Sequence, residues 1–182
     1  MLSITTPRLL TCLVLAALLP AGSRADEPED ELKAAVVLSF LRYGDWGQAL
    51  PANAALTVGI IGRPEFAAVL RRSVEGKSVN DHAIHVVELK NAAERSCQVV
   101  YFSADKTLDT KAALQIPALA HVLTIGETRD FLDWGGAVNL FVLDGHMAFE
   151  VSLEALERCS VSISSRLLRF GQIRSRKKGE RS

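Results

Sequence analysis

Ala55-Leu56-Thr57-Val58-Gly59-Ile60-Ile61-Gly62-Arg63-Pro64-Glu65-Phe66-Ala67-Ala68-Val69-Leu70-Arg71-Arg72-Ser73-Val74 decides the fold. Its first seven residues form a short, uncharged, β-type apolar run, closed by Gly62-Arg63-Pro64. Proline suits an early helical position, where its missing N–H has no partner to lose and its φ is already set. The stretch therefore predicts a strand, a tight turn and a helix from Glu65 to about Val74, the unit of an α/β sheet protein.

Working outward, the same alternation recurs. On the N-terminal side a helix is predicted from about Pro28 to Trp46. Glu29, Asp30 and Glu31 in its first turn oppose the positive helix end, and Leu32, Val36, Phe40 and Tyr43 supply an apolar stripe. Gly44 and Gly47 stop it. On the C-terminal side Gly76-Lys77-Ser78 is a turn, and Ala83 to Leu89 alternates as a second strand. Cys97 to Phe102 is the best central strand, being apolar, β-branched and aromatic. A helix near Leu108 to Ile116, ended by Pro117, a buried strand over His121 to Ile125 and a short helix over Glu127 to Trp134 follow. Val138 to Leu143, Asp144-Gly145 and His146 to Val151 make the clearest hairpin. Ser152 is placed to cap a helix with Glu154 in its first turn. Ile163 to Ile173, with Ile163, Leu167 and Phe170 on one side, predicts a last helix. The expected architecture is a single layered α/β domain over residues 26–173. Its mixed sheet of about six strands is flanked by helices and ends in a hairpin and C-terminal helices.

The chain has 182 residues, 48% of them hydrophobic, with 21 basic and 21 acidic side chains. Balanced charge gives no reason to expect a nucleic-acid partner. The distribution is uneven. Residues 1–25 carry Arg8 and Arg24 and no acid, around an apolar run from Leu9 to Leu19. With Ser23 and Ala25 at the −3 and −1 positions, this is the layout of a secretory leader cleaved after Ala25. The run is well short of the ~20 residues of a spanning helix, and no span is expected after cleavage. The exported chain from Asp26 would hold 19 basic and 21 acidic side chains, a net charge of −2. Residues 174–182 form a basic tail on an acidic globule.

Cys97 and Cys159 remain after the leader. In an oxidising compartment they are a candidate disulfide, although two unjoined thiols or a bridge between chains fits the sequence equally. Catalytic signatures are weak. The Gly59 to Pro64 turn has neither dinucleotide nor P-loop spacing. His82 and His85 project to opposite faces of a strand and would not share a metal, and no Gly-x-Ser-x-Gly elbow exists. Asp130 and Asp133 are better explained as a solvated helix face than as an acid/base pair. No cofactor and no catalytic residue is assigned. Trp46 and Trp134, each beside glycine at a predicted helix end, suit core packing, the floor of a small-molecule pocket or a protein contact.

An ordered series of segments resembles the YfiR-like periplasmic proteins. The segments are Phe40-Leu41-Arg42-Tyr43-Gly44-Asp45-Trp46, the Leu56 to Ile61 strand entering Gly62-Arg63-Pro64-Glu65-Phe66, and Cys97-Gln98-Val99-Val100-Tyr101-Phe102. Leu123-Thr124-Ile125, Phe131 leading to Gly135-Gly136, Phe149-Glu150-Val151 and Ile163-Ser164-Ser165-Arg166-Leu167-Leu168 complete it. The resemblance implies a non-enzymatic periplasmic protein that binds the periplasmic sensory portion of a membrane-anchored diguanylate cyclase and lowers cyclic di-GMP signalling, which would affect biofilm formation. The family also implies a possible homodimer and disulfides. Tyr43, Trp46, Arg63, Phe66 and Trp134 stand as candidate ligand or partner contacts, and Gly62, Pro64, Gly135, Gly136 and Ser152 as capping or structural positions. Gly59 occupies a position where many relatives carry a cysteine that would face Cys97, which leaves Cys159 as a substitute partner. The alternative function is a periplasmic small-molecule sensor or binding protein without catalytic activity.

Overall fold

The computed structural model describes residues 27–175 apart from 48, 49, 95, 105, 106 and 160. The leader with its cleavage point, and the basic tail beyond residue 175, lie outside the described residues. The chain runs α1 (Glu27–Tyr43), β1 (Gly44–Asp45), β2 (Leu56–Ile61), α2 (Pro64–Val74), β3 (Ser78–Val79), β4 (His82–Glu88), β5 (Val99–Phe102), α3 (Thr107–Ala113) and β6 (Leu123–Gly126). It finishes with β7 (Val138–Leu143), β8 (His146–Ser152), α4 (Leu153–Arg158), β9 (Ser162–Ile163), α5 (Ser165–Leu168) and β10 (Gln172–Arg174).

One mixed sheet organises these elements in the order β10-β8-β7-β6-β5-β2-β4-β3, with β1 and β9 as a separate pair. Strands β4, β2, β5, β6 and β7 are parallel, with α2 crossing from β2 to β4 and α3 from β5 to β6. The β7–β8 hairpin is antiparallel, and Asp144 and Gly145 both take the positive φ of a type I′ turn. The predicted strand-turn-helix unit is present. Gly62 makes its turn at φ 116, a conformation that favours glycine, and Pro64 opens α2. Ser152 caps α4 by accepting a hydrogen bond from the Ala155 N–H at 3.2 Å.

Alternation along β2 and β5 splits the core between the two sheet faces. Leu56, Val58, Ile60, Val99 and Tyr101 pack with Val37, Phe40, Phe66 and Leu70 of α1 and α2. On the opposite face Ile61, Val100 and Phe102 pack with Leu89, Cys97, Leu119 and Phe131. The ring of Phe131 is clamped between two glycines. A Cβ on Gly126 or Gly136 would fall 2.4 or 2.2 Å from ring atoms, so the position admits no side chain while the ring stays in place.

Five expectations are corrected. The buried side of α1 is Asp30, Lys33, Ala34, Val37, Phe40 and Leu41; Leu32 and Tyr43 are exposed, because two charged residues turn inward to meet partners on the sheet. Helix α1 also stops at Tyr43, where Gly44 and Asp45 pair with Ile163 and Ser162. Residues 128–135 form successive turns rather than a helix, drawn around the clamped Phe131. The final segment is a single helical turn, after which Gly171 packs on the Phe149 ring and β10 joins the sheet beside β8. With β10 at one end and the two-residue β3 at the other, the sheet has eight strands rather than about six.

Candidate functional site

Strands β2, β5 and β6 end at one edge of the sheet. The chain leaves β2 for β4 on one side and then returns to β5 on the other, so the crevice between β2 and β5 is a topological switch point, where open α/β sheets gather ligands. The residues delivered there are polar: Arg63 just after β2, Tyr101 and Ser103 at the end of β5, and Glu127 after β6. The first turns of α1 lie over them. Asp30 receives both arms of the Arg63 guanidinium, at 3.1 and 2.9 Å. Lys33 binds Glu127 and also Glu29, the latter at 2.9 Å. Asp30 and Lys33 are 2% and 6% exposed, so each charge depends on its partner.

This setting moves the titrating groups. Burial pushes the Asp30 carboxyl above its ordinary value, with Arg63 and Lys33 offsetting only part of the effect. Burial alone would lower Lys33, but hydrogen bonds to Glu127 and Glu29 outweigh it and hold the ammonium above its usual range. Burial raises the Tyr101 hydroxyl well above the ordinary phenol, and the charges of Glu127 and Asp30 add to the effect. The Tyr101 ring stacks on Phe66 at 4.4 Å, while its hydroxyl and that of Ser103 make no hydrogen bond of normal geometry. The cluster pairs two cations, Lys33 and Arg63, with three carboxylates, Glu29, Asp30 and Glu127. These pairs tie α1 to the ends of the sheet strands.

The other edge is different. Val122 precedes β6 and Gly135 precedes β7, so both lie where the parallel strands begin. A groove of about 500 Å³ opens there, bounded by Leu114, Ile116, Leu119, Trp134, Arg158 and Cys159. Gln115 closes one side by donating to the Trp134 carbonyl at 2.9 Å. Arg158 donates to the carbonyls of Glu154 and Gly135, at 3.1 and 3.2 Å. The Cys159 thiol donates to the carbonyls of Val122 and Ala155, and burial pushes its pKa up to about 11. It is therefore a neutral thiol near pH 7, not a nucleophile.

The candidate contacts are distributed between these places. Arg63 and Phe66 belong to the switch-point cluster, and Trp134 lines the groove. Trp46 is 3% exposed and donates its indole N–H to the Leu41 carbonyl, which makes it a core residue, while Tyr43 is exposed at the end of α1. The Cys97–Cys159 bridge is not formed. Cys97 packs in one core cluster and Cys159 against the other, on opposite sides of the sheet. Gly59 does approach Cys97, since a Cβ built on it would lie 3.0 Å from the Cys97 sulfur. Asp30, Lys33, Tyr101, Glu127 and Arg158 were not singled out by the sequence as site residues. The one available signal was the i, i+3 spacing of Asp30 and Lys33, which puts both on one helix face. Among the described residues no three His, Cys, Asp or Glu side chains gather as a metal site, and no helix is long and apolar enough to cross a membrane.

Comparison with known proteins identifies the relationship. No curated protein matches the chain. A crystal structure of a conserved domain protein from Vibrio cholerae O1 biovar El Tor shares the fold with a TM-score of 0.54 at 10% identity. The match covers 81% of this chain and 60% of that one. The family model described as YfiR/HmsC-like matches residues 30–172. The match begins at Asp30, in the first turn of α1, and ends at Gln172, the first residue of β10. It takes in both the charged edge and the groove, and the chain belongs to the YfiR/HmsC-like family.

Proposed function

We propose that this protein is an exported, non-catalytic regulator that binds the periplasmic sensory portion of a membrane-anchored diguanylate cyclase and lowers cyclic di-GMP output. The family match over residues 30–172 carries the reading. Surface chemistry supports it. Val142, Leu143, Phe170 and Ile173, each about half exposed or more, belong to the β7–β8–β10 side of the sheet or immediately precede it. Val142 and Leu143 lie at the hairpin tip and Phe170 and Ile173 at the far end of β8, and apolar side chains left in water at these two places suit a protein contact, with the cyclase or with a second copy of the chain.

The test is capture of the purified protein by the isolated periplasmic portions of the membrane diguanylate cyclases of its own genome, with and without reductant. One cyclase should be retained, and Phe170→Glu should weaken capture at least tenfold without changing the circular dichroism of the protein. Retention of none would overturn the proposal. A second reading, a periplasmic small-molecule sensor, is favoured by the groove at Trp134. The two are compatible, because a ligand that prefers one state of a regulator shifts its partner binding.

A further inference from the structure

The groove at the start of the parallel strands has the size of a small-molecule site, about 500 Å³, within the range of common ligand pockets. Leu114, Ile116, Leu119 and the half-buried Trp134 give it an apolar patch within a lining whose larger share is polar. Two ionised side chains line it, Asp133 and Arg158, and they are not equivalent. The Asp133 carboxylate is engaged by Arg174 at 3.1 Å. The Arg158 guanidinium donates to two carbonyl oxygens, which orient it without neutralising its charge. Its anchorage on Gly135 ties the cation to the turn that carries Trp134, so a flat apolar wall and a fixed positive charge face one volume.

We propose that this groove binds a small aromatic anion, a carboxylate or sulfonate, with its ring against Trp134 and the Leu114–Leu119 wall and its charged head on Arg158. A guanidinium held in place loses little freedom when it meets a planar or forked anion. The aromatic wall favours a ring over a flexible chain, because stacking contact adds to burial. Binding is non-covalent, since Cys159 at the same groove is protonated near pH 7 and held by two carbonyls. The inference stands on the groove alone and does not depend on the cyclase.

Two naphthalene probes of matched shape test it, the anionic 8-anilino-1-naphthalenesulfonate and the neutral N-phenyl-1-naphthylamine. The sulfonate should bind the purified protein at one saturable site, with energy transfer from tryptophan. Transfer should fall further in Trp134→Phe than in Trp46→Phe. Arg158→Gln should weaken the sulfonate at least tenfold and the neutral probe less than threefold, and Arg158→Lys should fall between Gln and the native residue. Because Arg158 also ties α4 to Gly135, the neutral probe reports whether the groove has kept its shape. Equal loss of both probes, unchanged sulfonate affinity in Arg158→Gln, or transfer that falls no further without Trp134 than without Trp46 would each overturn the proposal.

Discussion

The two edges of the parallel sheet use charge in opposite ways. At the strand ends, Asp30 meets Arg63 and Lys33 meets Glu127 under helix α1, so each ion's field is cancelled by a neighbour in a dry setting. At the strand starts, Arg158 bonds to carbonyl oxygens beside an open groove and keeps its charge available. A switch point is where an α/β enzyme would place its chemistry. Here the chain covers that place with its own helix, and the groove beside Trp134 lies at the other edge. This division is in keeping with the proposed regulator, which would act through contact.

The largest expected effect is on the segment joining the edges. Phe131 lies between Glu127 and Trp134 in sequence and its ring fills the clamp of Gly126 and Gly136. Phe131→Ala should cost about 3–5 kcal/mol in chemical denaturation, the usual range for an emptied aromatic core site, and should disturb both edges. Next, Glu127→Gln leaves the buried Lys33 with only the half-exposed Glu29, and should cost roughly 3 kcal/mol by the rule for a broken buried pair. The matching change at the open edge, Arg158→Gln, should cost less than about 1 kcal/mol, because it removes surface bonds to carbonyls that water replaces. If the two substitutions cost the same, the contrast between the edges is lost.

Much of the fold was legible. Leu56 to Val74 signalled strand, turn and helix because an apolar run, a positive-φ glycine and an early-helix proline all point the same way. The Asp144-Gly145 hairpin and the Ser152 cap were equally local. The failures were tertiary. Residues 128–135 carry helical spacing but wind around a ring whose clamp glycines lie in β6 and just before β7. Residues beyond Leu168 extend because a free β8 edge is available to pair with. The polar cluster was hidden for a related reason. Asp30 in a first turn is fully explained by the helix dipole, and only the folded chain shows that Arg63, 33 residues on, is its partner.

The smallest effect concerns Tyr101, whose hydroxyl is buried without a normal hydrogen bond. Tyr101→Phe should change stability at pH 7 by no more than about 1 kcal/mol, since the phenylalanine keeps the ring and removes a polar atom without a partner. Its signature is alkaline. A phenol raised in the folded state ionises first in the unfolded chain, so stability is complete below about pH 10 and falls as pH rises beyond it. Lys33 acts in the same direction. Its folded pKa is raised, so its contribution is present below the unfolded value and lost as pH rises through the folded one. Melting curves from pH 8 to 11 should therefore decline less steeply for Tyr101→Phe than for the native chain; parallel declines would remove Tyr101 from the charged edge.

The central claim is regulation by contact, and one measurement addresses it directly: the rate of cyclic di-GMP synthesis by the partner cyclase in sealed membrane vesicles, with the purified protein supplied to the periplasmic face. The account predicts a saturable fall in rate that Phe170→Glu relieves. An unchanged rate at protein concentrations that saturate binding would contradict it.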